Sequence, residues 1–221
     1  TTNPAGRAYN ELTDPMVPDH IRNTNYFENF KLFLEDRKRN QPFCFWYGAS
    51  EPHRRYKKGI GEDSGMHVDQ VDVPGFLPDV ASVRSDILDY MYEIQHFDTH
   101  LNKMLEYLEE IGELDNTLII VTSDNGMPFP RAKANLYEYG FHMPLAIRWG
   151  DVVSAGREVD DLVSLTDIAP TLLEVLETRG NMEIKIPDKM TGRSFLDILL
   201  SDKSGLLEPD RDAVYGGRER H

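Results

Sequence analysis

The sequence predicts an α/β layered fold, because apolar runs that suit strands alternate along the chain with amphipathic patterns that suit helices. Three segments carry this prediction: the apolar run Pro42 to Tyr47, the helical pattern from Ile87 to Ile111, and the strand-like run Leu118 to Thr122. With 221 residues and 40% apolar content, the chain can bury a core of its own. We therefore expect one globular domain.

The first elements are a lead-in, a helix and a strand. Residues 1–24 are rich in Pro, Asn, Asp and Thr, show no periodicity, and are predicted to be irregular. Residues 25–39 place apolar side chains against a charged face, which predicts an amphipathic helix. Residues 42–47 (PFCFWY) predict a buried strand, in which the single cysteine, Cys44, is expected to be a small buried apolar side chain.

The middle of the chain predicts a loop, a long helix and a strand. Residues 48–82 contain several Gly and Pro and predict a long loop of the kind that carries function. Apolar side chains from Ile87 to Ile111 recur at steps of three and four, and Gly112 follows as a C-cap. The run Leu118 to Thr122 is the clearest strand and leads directly into the turn at 123–126.

The last third predicts a strand at 144–149 (PLAIRW), a helix at 166–177 and a final strand at 212–215. Pro170 is tolerable in the first turn of that helix. The alternation of strands and helices favours ligand sites in the loops that follow the strands.

The charge of the chain limits its partners. The formal net charge of −14 argues against nucleic-acid binding, because the field of the chain would repel a polyanion. The local exception is His53–Lys58, where four permanent cations fall within six positions. Such a segment is either a solvated basic loop or a local site for an anion. No apolar run approaches the length of a membrane span, and we expect none.

The turn Asp124-Asn125-Gly126 supplies the main candidate for metal binding. Asn-Gly after a strand is also one of the commonest turn signals, so the pattern alone allows a purely structural role. Its position at the end of a predicted buried strand favours function, because two hard oxygen donors are placed where α/β folds bind ligands. Carboxylate and amide oxygens suit Ca²⁺ or Mg²⁺ better than zinc.

Three further side chains are candidates from their positions in loops. His53 follows the 42–47 strand among Arg and Lys side chains, where it can move a proton near a bound anion. A structural or exposed histidine is the alternative. Arg131 and Lys133 lie in a loop restricted by two prolines, which can hold a cation close to the turn at 124–126.

Three stretches resemble the sulfatases, most closely those of the N-sulfoglucosamine sulfohydrolase type. They are Thr122 to Tyr137 (TSDNGMPFPRAKANLY), Glu51 to Arg55 (EPHRR) and Asp167 to Leu172 (DIAPTL). The similarity spans most of residues 41–200. The resemblance implies an alkaline-phosphatase-like layered α/β/α fold with a predominantly parallel or mixed sheet.

The resemblance also implies roles for individual residues. In the sulfatases, a Cys or Ser in a C/S-x-P-x-R motif is converted to formylglycine, whose hydrated aldehyde attacks sulfur. By resemblance, Asp124 and Asn125 are two ligands of Ca²⁺, with Mg²⁺ as the second choice. Lys133 is then a cation that contacts the sulfate, and His53 protonates the leaving group.

Parts of the family pattern are expected to lie outside this chain. Cys44 does not stand in the modification motif, so we expect no nucleophile here and place it in a missing N-terminal half of the same fold. The chain alone is then inactive. We interpret residues 1–221 as a single partial domain with an irregular lead-in at 1–24 and a core at 25–200. Residues 201–221 are then the start of a link to a missing C-terminal subdomain. Arg131 and His221 are additional candidates for substrate contact.

The function implied by the resemblance is hydrolysis of sulfate esters or sulfamates of a sulfated sugar, with N-sulfoglucosamine of heparin or heparan sulfate as the candidate. Family habit implies a periplasmic, secreted or lysosome-like location, and no oligomeric state is predicted. Two alternatives stay open. One is a phosphoesterase of the same superfamily, and the other is a non-catalytic glycan-binding module that uses Arg54 to Lys58.

Overall fold

The computed structural model describes residues 6–18, 20–38, 40–180, 183–184 and 187–217. Within it, the chain separates into two compact units, Thr1–Leu114 and Asp115–His221, each with a buried apolar cluster. Among the described residues, no helix combines the length and the apolar content that crossing a membrane would require. The predicted division into lead-in, core and link stays a prediction.

The first unit is organised by two long helices. Its helices are α1 (Tyr26–Asp36), the single turn α2 (Ile60–Asp63) and α3 (Ala81–Glu110), with a 3-10 turn at Val68–Gln70. Asn25 caps α1, because its side-chain oxygen accepts a hydrogen bond of 3.1 Å from the Glu28 N–H. The helix predicted over 25–39 is confirmed, with a shorter C-terminal end.

The long predicted helix is confirmed by α3, which has 30 residues. The chain turns away at Gly112, whose φ of 73° lies in the left-handed region that glycine adopts without a steric cost. Helix α3 packs against α1 through a cluster of buried apolar side chains. These are Tyr26, Phe30, Leu34, Met104 and Leu108.

The apolar run at 42–47 is not paired as a strand within the described part of the chain, and its side chains alternate between exposed and half-buried, as in an extended segment. One face packs against the core of α1 and α3 through Phe43, Phe45 and Tyr47. The opposite face is exposed at Cys44 and Trp46. The prediction of a buried strand with a buried cysteine is therefore wrong, because alternate side chains of an extended segment point to opposite sides and only one side is covered.

The predicted loop over 48–82 is fixed to α3. A Cβ atom on Gly61 of α2 would lie 2.6 Å from the Leu88 backbone, so only glycine permits this approach. Asp89 of α3 accepts hydrogen bonds from the backbone N–H groups of Gly59 at 2.9 Å and Gly61 at 3.0 Å. The segment that follows His53 is thus attached to a rigid helix.

The second unit contains a two-stranded sheet formed by β1 (Ile119–Thr122) and β2 (Leu145–Arg148). The strands are antiparallel, with Ile119 opposite Arg148 and Thr122 opposite Leu145. Both predicted strands are confirmed. An antiparallel pair fits the mixed alternative of the sheet that the resemblance implied, because a mixed sheet contains pairs whose connecting chain reverses direction.

Short helices complete the second unit. They are α4 (Glu138–Phe141), a 3-10 turn at Leu165–Asp167, α5 (Ile168–Thr178) and α6 (Leu196–Leu200). The helix predicted over 166–177 is confirmed by α5. The strand predicted at 212–215 is wrong, since those residues are not paired in the described structure.

The core of the second unit joins α5 and α6. Phe195, Ile198 and Leu199 form its buried cluster. Arg211 is also buried and donates to Asp167 at 3.2 Å and to Glu208 at 2.9 Å. Because both carboxylates pair with it, the guanidinium is compensated, and it fixes the chain after α6 to the start of α5.

Candidate functional site

The turn that follows β1 faces an open cavity of the second unit. The cavity has a volume of about 2140 Å³, and Asp124 and Asn125 lie in its wall. The Asp124 side chain is exposed and makes no hydrogen bond to another described residue. The Asn125 amide donates to the Gly126 carbonyl at 3.2 Å, and the Ser123 hydroxyl donates to the Asn125 carbonyl at 3.0 Å. The Asn125 side-chain oxygen therefore stays available as an acceptor or ligand.

Gly126 is required by a close backbone approach. Its N–H donates to the Gly140 carbonyl at 3.2 Å, and a Cβ atom at this position would lie 1.8 Å from the Tyr139 carbonyl oxygen. The turn is thereby locked against α4. The glycine of the Asn-Gly pair thus has a packing role, and it fixes the two preceding oxygen donors in place.

The two cations of the Pro-restricted loop, Arg131 and Lys133, have different partners. The Arg131 guanidinium lies 4.7 Å from the centre of the Tyr137 ring and is exposed. The Lys133 N–H donates to the Met127 carbonyl at 3.1 Å, and its side chain is half-buried. Within the described ranges, the Lys133 ammonium has no carboxylate partner. Lys133 is therefore the better candidate to bind an anion, since Arg131 is engaged by an aromatic face.

The donor atoms of the turn fit a hard divalent cation. A carboxylate and an amide oxygen lie next to each other on a fixed turn, which is the donor type that Ca²⁺ and Mg²⁺ prefer. Ca²⁺ takes six to eight oxygens, so Asp124 and Asn125 form part of a site. Among the described residues, no group of three or more His, Cys, Asp or Glu side chains is arranged to hold a metal.

His53 belongs to the first unit and is exposed. Its N–H donates to the Ser50 carbonyl at 2.9 Å, which closes a tight turn. Its Nδ1 lies 2.6 Å from the Arg54 carbonyl oxygen. Because a carbonyl can only accept, we assign the hydrogen to Nδ1, which leaves Nε2 as the nitrogen for proton exchange with a ligand.

The turn that carries His53 is supported by a buried carboxylate. Glu51 Oε2 accepts a 2.7 Å hydrogen bond from the Tyr26 hydroxyl, and Oε1 accepts one of 2.8 Å from the Arg22 N–H. The Ser50 hydroxyl accepts a 2.6 Å hydrogen bond from the Arg22 guanidinium. These contacts hold the base of the turn, while His53 at its tip stays exposed.

The same turn corrects one expectation from the sequence. Ser50 to Arg54 reads S-E-P-H-R and satisfies S-x-P-x-R as a pattern of letters, although no nucleophile was expected in this chain. In the structure, Ser50 begins the turn that carries His53, and its hydroxyl accepts a hydrogen bond from Arg22. The pattern is therefore present, but the hydroxyl has a structural partner.

Two further histidines do not contribute to the described site. His142 is exposed and contacts the Glu138 carboxylate one helical turn away, which accounts for it structurally. His221 lies outside the described residues. His53 belongs to the first unit, whereas Asp124, Asn125, Arg131 and Lys133 belong to the second, in which Asp124 and Asn125 line the cavity.

Comparison with known proteins identifies the family. The family model described as Sulfatase matches residues 3–178, which is most of the chain. The chain belongs to the sulfatase family. This sulfatase chain carries its Asp-Asn-Gly turn, its Pro-restricted loop and its Pro-His-Arg turn inside the matched range.

Individual relatives agree with this assignment. Human N-sulphoglucosamine sulphohydrolase is 31% identical over 223 residues, covering 86% of this chain and 42% of the relative. An ulvan-active sulfatase of Formosa agariphila is 30% identical over 150 residues, covering 68% of this chain and 24% of the relative. The chain thus spans less than half the length of these two relatives.

A solved structure confirms the fold. A protein in complex with its substrate, D-glucosamine-2-N,6-O-disulfate, superposes with a TM-score of 0.61 over 83% of this chain and 52% of that chain. The sequence identity is 20%, so this similarity concerns the fold alone. The predicted alkaline-phosphatase-like α/β fold is confirmed.

Sequence reasoning missed the residues that hold the basic turn. Arg54 is one of the four cations of the basic segment, and its guanidinium donates to both carboxylate oxygens of Asp86, at 2.9 and 2.6 Å. Glu51 is buried, and its carboxylate accepts hydrogen bonds from the Arg22 N–H and the Tyr26 hydroxyl. Asp86 lies 32 residues away on α3, and no local pattern in the sequence predicts that it pairs with Arg54.

Proposed function

We propose that the protein containing this chain hydrolyses sulfate esters or sulfamates of a sulfated sugar, with the N-sulfate of a glucosamine as the first candidate. The observation that carries the proposal is the Asp124-Asn125 turn, which offers two oxygen donors to an open cavity in a chain of the sulfatase family. The relative named N-sulphoglucosamine sulphohydrolase supports the choice of substrate.

Asp124 and Asn125 are proposed to bind a divalent cation, Ca²⁺ first and Mg²⁺ second. A bound cation supplies positive charge that stabilises negative charge on the sulfate oxygens during hydrolysis. The lock between Gly126 and α4 supports this role, because a site built on fixed backbone loses little freedom when it binds.

His53 and Lys133 are proposed to act on the substrate. In its protonated form, His53 can donate the Nε2 proton to the departing oxygen or nitrogen, while its Nδ1–H stays hydrogen-bonded to the Arg54 carbonyl. The Lys133 ammonium can pair with a sulfate oxygen, since it has no carboxylate partner among the described residues. Arg131 is a secondary candidate for this contact, after release from Tyr137.

The decisive experiment measures sulfate release from N-sulfoglucosamine by the full-length protein. Asp124→Ala is expected to lower turnover by at least a hundredfold and to weaken Ca²⁺ binding in calorimetry. Asp151→Ala is a matched control, because Asp151 is also exposed in the second unit and belongs to neither the turn nor the 131–133 loop. Unchanged turnover by the Asp124 variant would overturn the assignment.

The alternative activity is tested in the same assay. Release of phosphate from a phosphate monoester, faster than release of sulfate, together with two equivalents of zinc per chain, would favour a phosphoesterase. A periplasmic, secreted or lysosome-like location is part of the proposal and is checked by fractionation of the source cells.

A further inference from the structure

The basic segment His53–Lys58 divides into cations that are paired and cations that are not. Arg54 is bound to Asp86 through both nitrogens of its fork and lies 4.8 Å from the Tyr56 ring centre. The Lys57 ammonium lies 4.0 Å from an oxygen of Asp63. These contacts compensate two of the four cations.

The other two cations, Arg55 and Lys58, are exposed. Within the described ranges, neither of them pairs with a carboxylate. The two cations lie three positions apart in a chain with a net charge of −14, in which acidic side chains outnumber basic ones, 38 to 24. Two unpaired charges of one sign close together favour an anionic partner.

The backbone around these two cations is held in place. The Tyr56 hydroxyl donates to the Pro52 carbonyl at 2.9 Å, and the Gly59 N–H donates to the Asp89 carboxylate at 2.9 Å. The Arg54–Asp86 pair adds a third attachment to α3. The segment is anchored at both ends, so its backbone is already ordered before a ligand binds Arg55 and Lys58. Binding therefore loses little affinity to the conformational entropy of ordering the backbone.

We propose that Arg55 and Lys58 form a subsite for a second anionic group, a sulfate or carboxylate, on a sulfated oligosaccharide. The inference rests on the proposed function, because it takes His53 as the side chain that meets the sugar undergoing hydrolysis. Arg55 and Lys58 follow His53 by two and five residues in the same anchored segment, and the subsite would take a group on a neighbouring sugar unit. The planar Arg55 fork suits two oxygens of one sulfate, and Lys58 adds a point charge.

The test compares ligands of different length on the full-length protein. Binding of a heparin-derived tetrasaccharide and of N-sulfoglucosamine is measured by calorimetry for the parent protein and for Arg55→Gln/Lys58→Gln. We expect the double variant to raise the tetrasaccharide Kd about tenfold more than the monosaccharide Kd, as two exposed ion pairs together imply. High salt is expected to abolish the difference between parent and variant. The charge-retaining variant Arg55→Lys/Lys58→Arg is expected to recover most of the affinity.

A matched control removes the same charge elsewhere. Lys38 and Lys203 are exposed, so Lys38→Gln/Lys203→Gln changes the net charge equally without touching the turn. If this control weakens tetrasaccharide binding as much as the Arg55/Lys58 variant does, the effect is global charge and the subsite is wrong. An equal loss for both ligands, or no loss for either, also overturns the proposal.

The outcome is separable from the proposed activity. If the full-length protein releases no sulfate from either ligand, the proposed function fails, while tetrasaccharide binding that depends on Arg55 and Lys58 still supports the subsite. If sulfate is released normally and the tetrasaccharide binds no more weakly to the double variant, the function stands and the subsite fails.

Discussion

The hydroxyl of Tyr26 on α1 donates a 2.7 Å hydrogen bond to the buried carboxylate of Glu51, two residues before His53. Burial and the neighbouring carboxylate raise the pKa of Tyr26 to about 12, so the phenol stays a donor throughout the neutral range. The same oxygen accepts the Ser50 N–H at 3.1 Å. One phenol thus ties the base of the candidate catalytic turn to the core of the first unit.

Tyr26→Phe is expected to destabilise the fold. The change leaves a buried oxygen of Glu51 and the Ser50 N–H without this partner, which costs about 1–3 kcal/mol. Urea unfolding followed by circular dichroism measures the loss. Tyr9→Phe is the control, because the Tyr9 hydroxyl bonds to Asp36 at the surface and its removal is expected to cost much less. Equal effects of the two changes would contradict this account.

Glu93 on α3 is expected to make stability fall as the pH rises. The side chain is 1% exposed, and burial together with the nearby Glu51 charge raises the pKa of Glu93 from 4.5 to about 8. The folded state therefore holds a proton that the unfolded state loses between those values, so stability is full below about pH 4.5 and declines up to about pH 8. The slope contributed by this group approaches about 1.4 kcal/mol per pH unit.

Glu93→Gln tests that origin, because the amide keeps the shape without the charge. For this variant, the free energy of unfolding is expected to fall much less across the same pH range than it does for the parent protein. Glu109→Gln on the exposed side of the same helix is expected to keep it. A decline that survives in the Glu93 variant would place its source elsewhere.

His100 gives the opposite dependence at acid pH. Burial and the adjacent His96 lower the pKa of His100 to about 4, and its Nδ1 accepts a 3.2 Å hydrogen bond from the Phe27 N–H. The neutral ring is therefore the folded form. Its contribution is complete above the unfolded value of about 6.5 and is lost as the pH falls towards 4.

His100→Gln is expected to flatten this acid loss in unfolding experiments, since Gln can still accept from the Phe27 N–H but gains no proton. The control is His67→Gln, because His67 is exposed in the loop of the same unit. If the His67 change has the same effect, the buried ring is not the cause.

The elements of the fold differ in how well the sequence predicts them. The helical periodicity predicted α3 correctly, and the continuous apolar run predicted the strand before Asp124. In both elements the burial is visible in the spacing of neighbouring apolar residues. The run at 42–47 is not a buried strand. Its burial depends on which other segments pack against each of its faces, and the local sequence pattern carries no information about them. The Arg54–Asp86 pair and the support of Glu51 by Tyr26 join residues 32 and 25 positions apart, so local spacing carried no sign of them.

Gly126→Ala is expected to disturb the turn that carries Asp124 and Asn125. The new methyl group would lie 1.8 Å from the Tyr139 carbonyl oxygen, so α4 or the turn must move, at a cost of about 1–3 kcal/mol or more. Thermal unfolding measures this cost, and calorimetric titration with Ca²⁺ measures the effect on the two oxygen donors. Gly75→Ala is the control, since no atom lies within 4 Å of its added Cβ. A Gly126 variant with parental stability and Ca²⁺ affinity would refute the packing role.

Ser50 is expected to remain an unmodified serine, although it opens an S-x-P-x-R pattern. Its hydroxyl accepts from the Arg22 guanidinium at 2.6 Å, and its carbonyl accepts from the His53 N–H, so the residue is the structural start of the turn that presents His53. Conversion to formylglycine would make the peptide two hydrogen atoms lighter, which mass spectrometry of the protein purified from its source detects. The unshifted mass is the expected result. A lighter peptide, together with loss of sulfate release in Ser50→Ala, would instead place the nucleophile within this chain and require a new assignment for His53.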